Sequence, residues 1–337
     1  MTRLPIRGTC LSMPNPAHKN ANPFSFRDLT PEQAVLRVSG LSVAVAVILI
    51  ALKTLALSAS GSVAVLASLT DSALDLIASL ITFFAVRFAR TSPDKEHPFG
   101  HGKAEAFSAL IQAGLVFFSA ALILSDSWAH LRDPQPVSGG ALSIAVLIVS
   151  LALTGALIYA QALAVKASGS VAVAADRAHY AADLAGNGIA LIGVGAAALG
   201  VVHIDAIAGG LIALWLLWGA VQVLRSAADH LMDRAMDDED IARIVEAACN
   251  APEVLDVHRL RTRISGPHRL IQMHMALPAD LSLVRAHEII LSAEQRILSV
   301  FPNADILIHP DPAGVSEPHG GVFSGVPSHA EQSINGR

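Results

Sequence analysis

The chain has 337 residues, of which 53% are hydrophobic and only 15% charged, and a formal net charge of -5. About a quarter of a soluble globular domain is charged, so no ordinary soluble fold fits the whole chain, and the acidic balance excludes the basic face that a nucleic-acid partner needs. Fourteen histidines stand against two cysteines, Cys10 and Cys249, which offers no disulfide framework and leaves imidazole and carboxylate as the groups for any metal chemistry.

Charges are dense up to Arg37 and beyond Arg225 and sparse between. Residues 1–36 combine Pro, Asn, Ser and basic side chains without a compact apolar leader, which predicts a flexible cytoplasmic tail. Six apolar stretches follow, near Val38–Leu57, Val63–Phe88, Ala104–Leu131, Ala141–Leu163, Val171–Leu199 and Ile204–Leu224. Each is long enough for the ~20 residues that a bilayer requires. Lys53 lies near one end of the first and is expected to snorkel to the interface. The loops after the second and fourth stretches carry Arg87, Arg90, Lys95 and Lys166, whereas those after the first, third and fifth offer only Arg132. Positive residues stay inside, which puts both termini in the cytoplasm of a multi-pass inner-membrane protein.

After Asp237 the periodicity changes. Asp237–Asn250 reads as a helix with acidic residues in its first turn. Val254–Ile264 and Arg269–Leu277 read as strands joined by Ser265-Gly266-Pro267-His268. Leu283–Phe301 is an amphipathic helix and Ala304–His309 a third strand. The expected fold is a membrane bundle of six transmembrane helices over residues 37–230 and a cytosolic α+β domain of αββαβ order over residues 237–312. Residues 313–337, Gly, Pro, Ser and His without period, predict a disordered tail.

One self-match organises the membrane part. Ser60-Gly61-Ser62-Val63-Ala64-Val65 recurs 108 positions later as Ser168-Gly169-Ser170-Val171-Ala172-Val173. The same offset carries Asp71 onto His179 and Asp75 onto Asp183. Stretches two and five run in opposite directions, the pattern of an inverted repeat around a midplane site. Residues four apart share a helix face, with Cβ atoms ~5–6 Å apart. The two pairs thus present four N/O ligands, the tetrahedral number that zinc prefers. A lone carboxylate at a helix centre costs at least ~2.5–3.5 kcal/mol in a bilayer, which favours a cation site over stray polar residues in a wet groove. An intramembrane metalloenzyme would need an open coordination position and a general base, and no spare candidate such as a His-Glu-x-x-His helix is present. A metal sensor that transports nothing would leave the matched pairs without a purpose.

Two further groups stand outside the spans. Asp94, His97 and His101 fall in a loop that Pro98, Gly100 and Gly102 keep out of a helix. That spacing fits an ion site and a solvated polar loop equally well. The soluble domain holds His258, His274, His287, His309 and Asp311, a denser set than scattered surface histidines of the His268 kind.

Thr70-Asp71-Ser72-Ala73-Leu74-Asp75 and Asp176-Arg177-Ala178-His179-Tyr180-Ala181-Ala182-Asp183 resemble the signature spans of the cation diffusion facilitator family, in particular its bacterial zinc and ferrous-iron efflux members. The likeness covers nearly all of residues 37–314. It implies a homodimer among membrane lipids that exports Zn²⁺ or Fe²⁺, and Cd²⁺ as well, in exchange for protons. It implies no cofactor beyond transported and regulatory metal, and a metallochaperone-like soluble domain. It also implies metal ligation by Asp94, His97 and His101, and a two-metal site near the dimer interface built from His258, His274, His287, His309 and a bridging Asp311. Lys103 and Asp233 would form an ion pair near the cytoplasmic face. Exchange has a physical basis: moving two charges outward costs ~4.6 kcal/mol per 100 mV, at ~2.3 per charge, and inward protons compete with metal for the same lone pairs.

Overall fold

The computed structural model describes residues 30–60, 63–132, 141–198 and 204–314. Gly61 and Ser62 of the repeat, residues 1–29 of the N-terminal tail and residues 315–337 lie outside the described residues. The first helix, α1 (Pro31–Ser60), begins inside the stretch read as tail. Its start is a capping box: Gln33 donates its backbone N–H to Thr30 Oγ1 at 3.3 Å, and Thr30 donates its own to Gln33 Oε1 at 3.4 Å. Pro31 occupies the first helical position, where its missing N–H costs nothing.

Five more long helices follow: α2 (Val63–Ala89), α3 (Ala104–Arg132), α4 (Ala141–Ser168), α5 (Val171–Ala198) and α6 (Ile204–Leu231). Among the described residues, α1, α2, α3, α4 and α6 are long and apolar enough to cross a membrane. The fifth predicted stretch also forms a helix, of 28 residues, with Asp176, Arg177 and Asp183 in its first half. Helix boundaries follow the repeat. α1 and α4 end at Ser60 and Ser168, and α2 and α5 begin at Val63 and Val171, each 108 positions apart. Gly169 turns the second corner at φ +68°, a left-handed conformation that a residue without Cβ adopts freely. Ser170 Oγ donates to the buried Glu105 carboxylate at 2.5 Å, which ties that corner to the start of α3.

The bundle is apolar outside and small inside. Phe84, Phe107, Phe118, Trp128, Leu211, Trp215 and Trp218 are exposed, while the helix interfaces bury Ala46, Ala78, Ala109, Ala113, Ala175 and Ala213 with Ser39, Ser42, Ser79 and Thr82. Small residues let helices approach closely where lipid supplies no hydrophobic drive.

The soluble part comprises α7 (Asp238–Cys249), β1 (Asp256–Ser265), β2 (His268–Leu277), α8 (Leu283–Val300) and β3 (Ala304–Pro312). β1 pairs antiparallel with β2, and β2 pairs parallel with β3. The parallel pairing needs a crossover, which α8 supplies. Along β2 the odd-numbered Ile271, Met273, Met275 and Leu277 join Ile244, Ile289, Ile297 and Phe301 in one core. The even-numbered positions look the other way, as the two-residue period of a strand demands. Beyond the last strand Ala313 still donates to Leu277 O at 2.8 Å, so the ordered edge runs past the predicted boundary at Pro312.

The two parts meet through backbone. A Cβ placed on Gly102, just before α3, would lie 2.1 Å from Ser265 O in the β1–β2 hairpin. Beside this contact Asp233 Oδ1 takes Lys103 Nζ at 3.1 Å and Asp233 Oδ2 takes Arg263 Nη1 at 3.0 Å. The Arg263 guanidinium also lies 5.1 Å from the centre of the Phe99 ring.

Candidate metal centres

Within the bundle, Asp75 on α2 and His179 and Asp183 on α5 converge. His179 Nε2 lies 3.3 Å from Asp75 Oδ1 and 3.8 Å from Asp183 Oδ2. Asp75 and His179 are buried, at 8% and 4% exposure. Both ring nitrogens of His179 and Asp183 Oδ2 are buried without a hydrogen-bond partner. Buried polar atoms are nearly always satisfied, so His179 Nε2 and Asp183 Oδ2, left unsatisfied beside the Asp75 carboxylate, call for a ligand.

Asp71 departs from the four-residue expectation. It sits one turn before Asp75 but is exposed and outside the cluster. Lys53 departs as well. Far from snorkelling, it is 6% exposed and donates to Ser72 Oγ at 2.6 Å and Ser68 O at 3.0 Å on α2.

A polar hub lies one turn before His179. Asp176, 1% exposed, accepts from Ser42 Oγ at 2.8 Å on α1, Gln161 Nε2 at 2.8 Å on α4 and Gln112 Nε2 at 3.3 Å on α3. Gln112 Nε2 also donates to Thr82 Oγ1 on α2 at 2.9 Å. Tyr180 OH lies 2.7 Å from Ser79 Oγ and donates to Ser42 O at 3.2 Å. These bonds fix the rotation of α5 and hence the aim of His179, as outer-shell partners do around metal ligands. The sequence reading passed over this hub, although glutamines at mid-span are a signal in themselves.

In the loop before α3, His97 Nδ1 and His101 Nε2 lie 3.4 and 3.2 Å from the two oxygens of Asp94. His101 is buried against Phe88, whose ring centroid is 4.4 Å away. The backbone N–H of His97 donates to Asp94 Oδ1 at 2.6 Å, and this bond, with those from neighbouring groups, holds the Asp94 carboxyl below the usual range.

On the open face of the sheet, strand register does the assembly. His258 pairs with His274 across β1–β2, and His274 with His309 across β2–β3. Asp311, two residues on, shares their face. Its Oδ2 meets His258 Nε2 at 3.0 Å and His274 Nδ1 at 2.9 Å, and its Oδ1 meets His309 Nε2 at 3.2 Å. His287 is not brought to this cluster. It is exposed on α8, which packs on the other face of the sheet. A single chain therefore gathers four of the five expected residues.

Comparison with known proteins agrees with this division. Residues 40–232 match the family described as cation efflux transmembrane domain, and residues 236–313 match the cation efflux protein cytoplasmic domain. The chain is 38% identical to the cation-efflux pump FieF of Cronobacter sakazakii over 80% of this chain and 90% of that one. It is 38% identical to FieF of Pectobacterium carotovorum over 80% and 90%, and 37% identical to FieF of Klebsiella pneumoniae over 83% and 94%.

Proposed function

The chain belongs to the cation diffusion facilitator family of membrane cation-efflux transporters, and from that membership we propose that it exports Zn²⁺ or Fe²⁺, with Cd²⁺ as a further cargo, from the cytoplasm in exchange for protons. The observation that carries this reading is the convergence of Asp75, His179 and Asp183 with ligand atoms left unsatisfied inside the bundle. These three residues take the ion in three positions, and Asp71, one turn away on α2, turns inward to supply the fourth. Four N/O donors around a compact site suit zinc and disfavour ions that want six or more oxygens. The same lone pairs accept protons, so one site serves both sides of the exchange. All six long helices span the inner membrane with both termini in the cytoplasm. Asp94, His97 and His101 form a delivery or regulatory site at the cytoplasmic face. The sheet cluster is a regulatory two-metal site of a homodimer, with Asp311 bridging and His287 contributed from the second copy.

The test is Asp183→Ala in sealed proteoliposomes. Flux of Zn²⁺ should vanish while the purified protein keeps its size and helical content. Near-normal flux would remove the bundle residues from the transport site.

A further inference from the structure

On the opposite side of α5 from the metal cluster lies a second feature. Asp176, His179, Tyr180 and Asp183 share one face of the helix, and Ala174, Arg177, Ala178 and Ala181 share the other, by the 3.6-residue period. The second face lines a cleft of about 550 Å³ between α5 and α6, with Trp215, Trp218, Gln222 and Ser226 on the α6 side. Trp215 and Trp218 are 58% and 63% exposed. Arg177 is half-buried and, among the described residues, has no hydrogen-bond or ion-pair partner.

Depth decides what this arginine can meet. At 1.5 Å per residue, α5 is ~42 Å long against a ~30 Å hydrocarbon core. Arg177, the seventh residue, therefore has its Cα ~3 Å below the headgroup boundary on the side where α5 begins. That side carries the soluble domain, because Ser168 and Ser170 share a cleft with Gly266 and Pro267 of the hairpin. Side chains on a helix lean toward its N-terminus, so the guanidinium rises toward the headgroups. Gln222 and Ser226 lie at the same end of α6, and both also line the neighbouring cleft that holds Arg225. The cleft is thus polar and cationic at the headgroup level and aromatic below it.

We propose that this cleft is a binding site for an anionic phospholipid of the cytoplasmic leaflet, with the lipid phosphate on Arg177, Gln222 and Ser226 and an acyl chain along Trp215 and Trp218. A guanidinium forks onto phosphate oxygens in two parallel hydrogen bonds, and basic pockets between spanning helices on this side suit acidic headgroups. The site depends on the membrane embedding but not on the identity of the cargo.

Native mass spectrometry of the full chain, released from mixed phosphatidylcholine and phosphatidylglycerol, tests it. Arg177→Gln should lower phosphatidylglycerol retention about fivefold, which corresponds to the ~1 kcal/mol that one basic residue contributes at an anionic surface. Arg177→Lys should fall between. Arg87→Gln, which removes an exposed cation outside the cleft, should match wild type. Trp218→Ala, at an exposed position that leaves the fold alone, should lose part of the retention with the charge intact. Metal flux of Arg177→Gln in pure phosphatidylcholine should equal wild type, which separates this site from transport itself. Wild-type retention in Arg177→Gln or in Trp218→Ala overturns the proposal. So does displacement of the lipid by inorganic phosphate, or a disulfide between two copies of Trp218→Cys, which would put a second chain in the cleft.

Discussion

Replacing Gly102 by alanine isolates the contact between the membrane and soluble parts. The backbone there is not left-handed, so alanine brings no conformational strain of its own, and the whole effect lies in the new methyl group. That methyl would begin 2.1 Å from Ser265 O, and ordinary contact starts at 3.4 Å, so loop and hairpin must part by more than an ångström. Forcing a methyl into closed packing costs ~1–3 kcal/mol, a ~5- to 150-fold loss in the docking equilibrium. The Lys103–Asp233–Arg263 bridge spans the same gap and should weaken with it. Hydrogen exchange of the full chain in nanodiscs reads the outcome: amides of residues 263–270 should exchange faster in Gly102→Ala, with α2 and α5 unchanged. Equal protection of the hairpin in both proteins would refute the idea that this backbone contact holds the two parts together.

His179→Asp should raise Mn²⁺ flux relative to Zn²⁺, because it turns a site with one borderline-soft nitrogen into an all-oxygen one; an unchanged ratio in proteoliposomes assigns selectivity elsewhere. Lys103→Ala combined with Asp233→Ala should cost less junction stability than the two changes summed, and strictly additive losses argue against direct pairing. The same junction has a defined acid limit. Partial burial works against ionisation of Asp233, but the Lys103 hydrogen bond and the Arg263 charge outweigh it and hold the carboxyl below its ordinary value. A depressed carboxyl adds stability above its unfolded value of ~3.9 and loses it as pH falls through the folded value. Hairpin protection should therefore be flat through neutral pH and drop only in acid below about 4. His274→Ala with His309→Ala should lower metal-dependent association of the soluble domains yet leave residual flux; complete loss of flux at normal protein levels would contradict a regulatory role.

Asp75, His179 and Asp183 were legible because an offset of 108 and a spacing of four act together, and each constrains helices without knowledge of tertiary contacts. The position of Asp71 was not, since the pattern names a helix face but not whether two like charges on it converge. Lys53 was misread for a similar reason: its acceptors, Ser68 and Ser72, sit on a different helix that hydropathy treats as plain wall. Asp176 stood inside the quoted motif, but the offset lands it on Ser68, so the repeat gave no hint, and its partners are scattered over α1, α3 and α4. The start of α1 was readable in Thr30-Pro31-Glu32-Gln33 and was lost to the polar composition around it. The histidine row of the sheet needed strand register, which one-residue shifts decide and composition leaves open.

That row has a consequence for how the soluble domain matures. His258 and His274 meet when a local hairpin closes, but His309 and Asp311 arrive only when the chain has passed through α8 and the parallel strand has docked. Non-local pairing of this kind is the slow step of a small α/β unit. An ion that needs Asp311 together with both hairpin histidines has no purchase on the half-folded chain. Such an ion would bind the finished sheet and draw the folding equilibrium toward it by mass action, by ~2.7 kcal/mol when free ion exceeds its dissociation constant a hundredfold. Metal supply in the cytoplasm would then set the lifetime of the domain against proteolysis, so that a cell short of the ion keeps fewer intact copies of the protein that expels it.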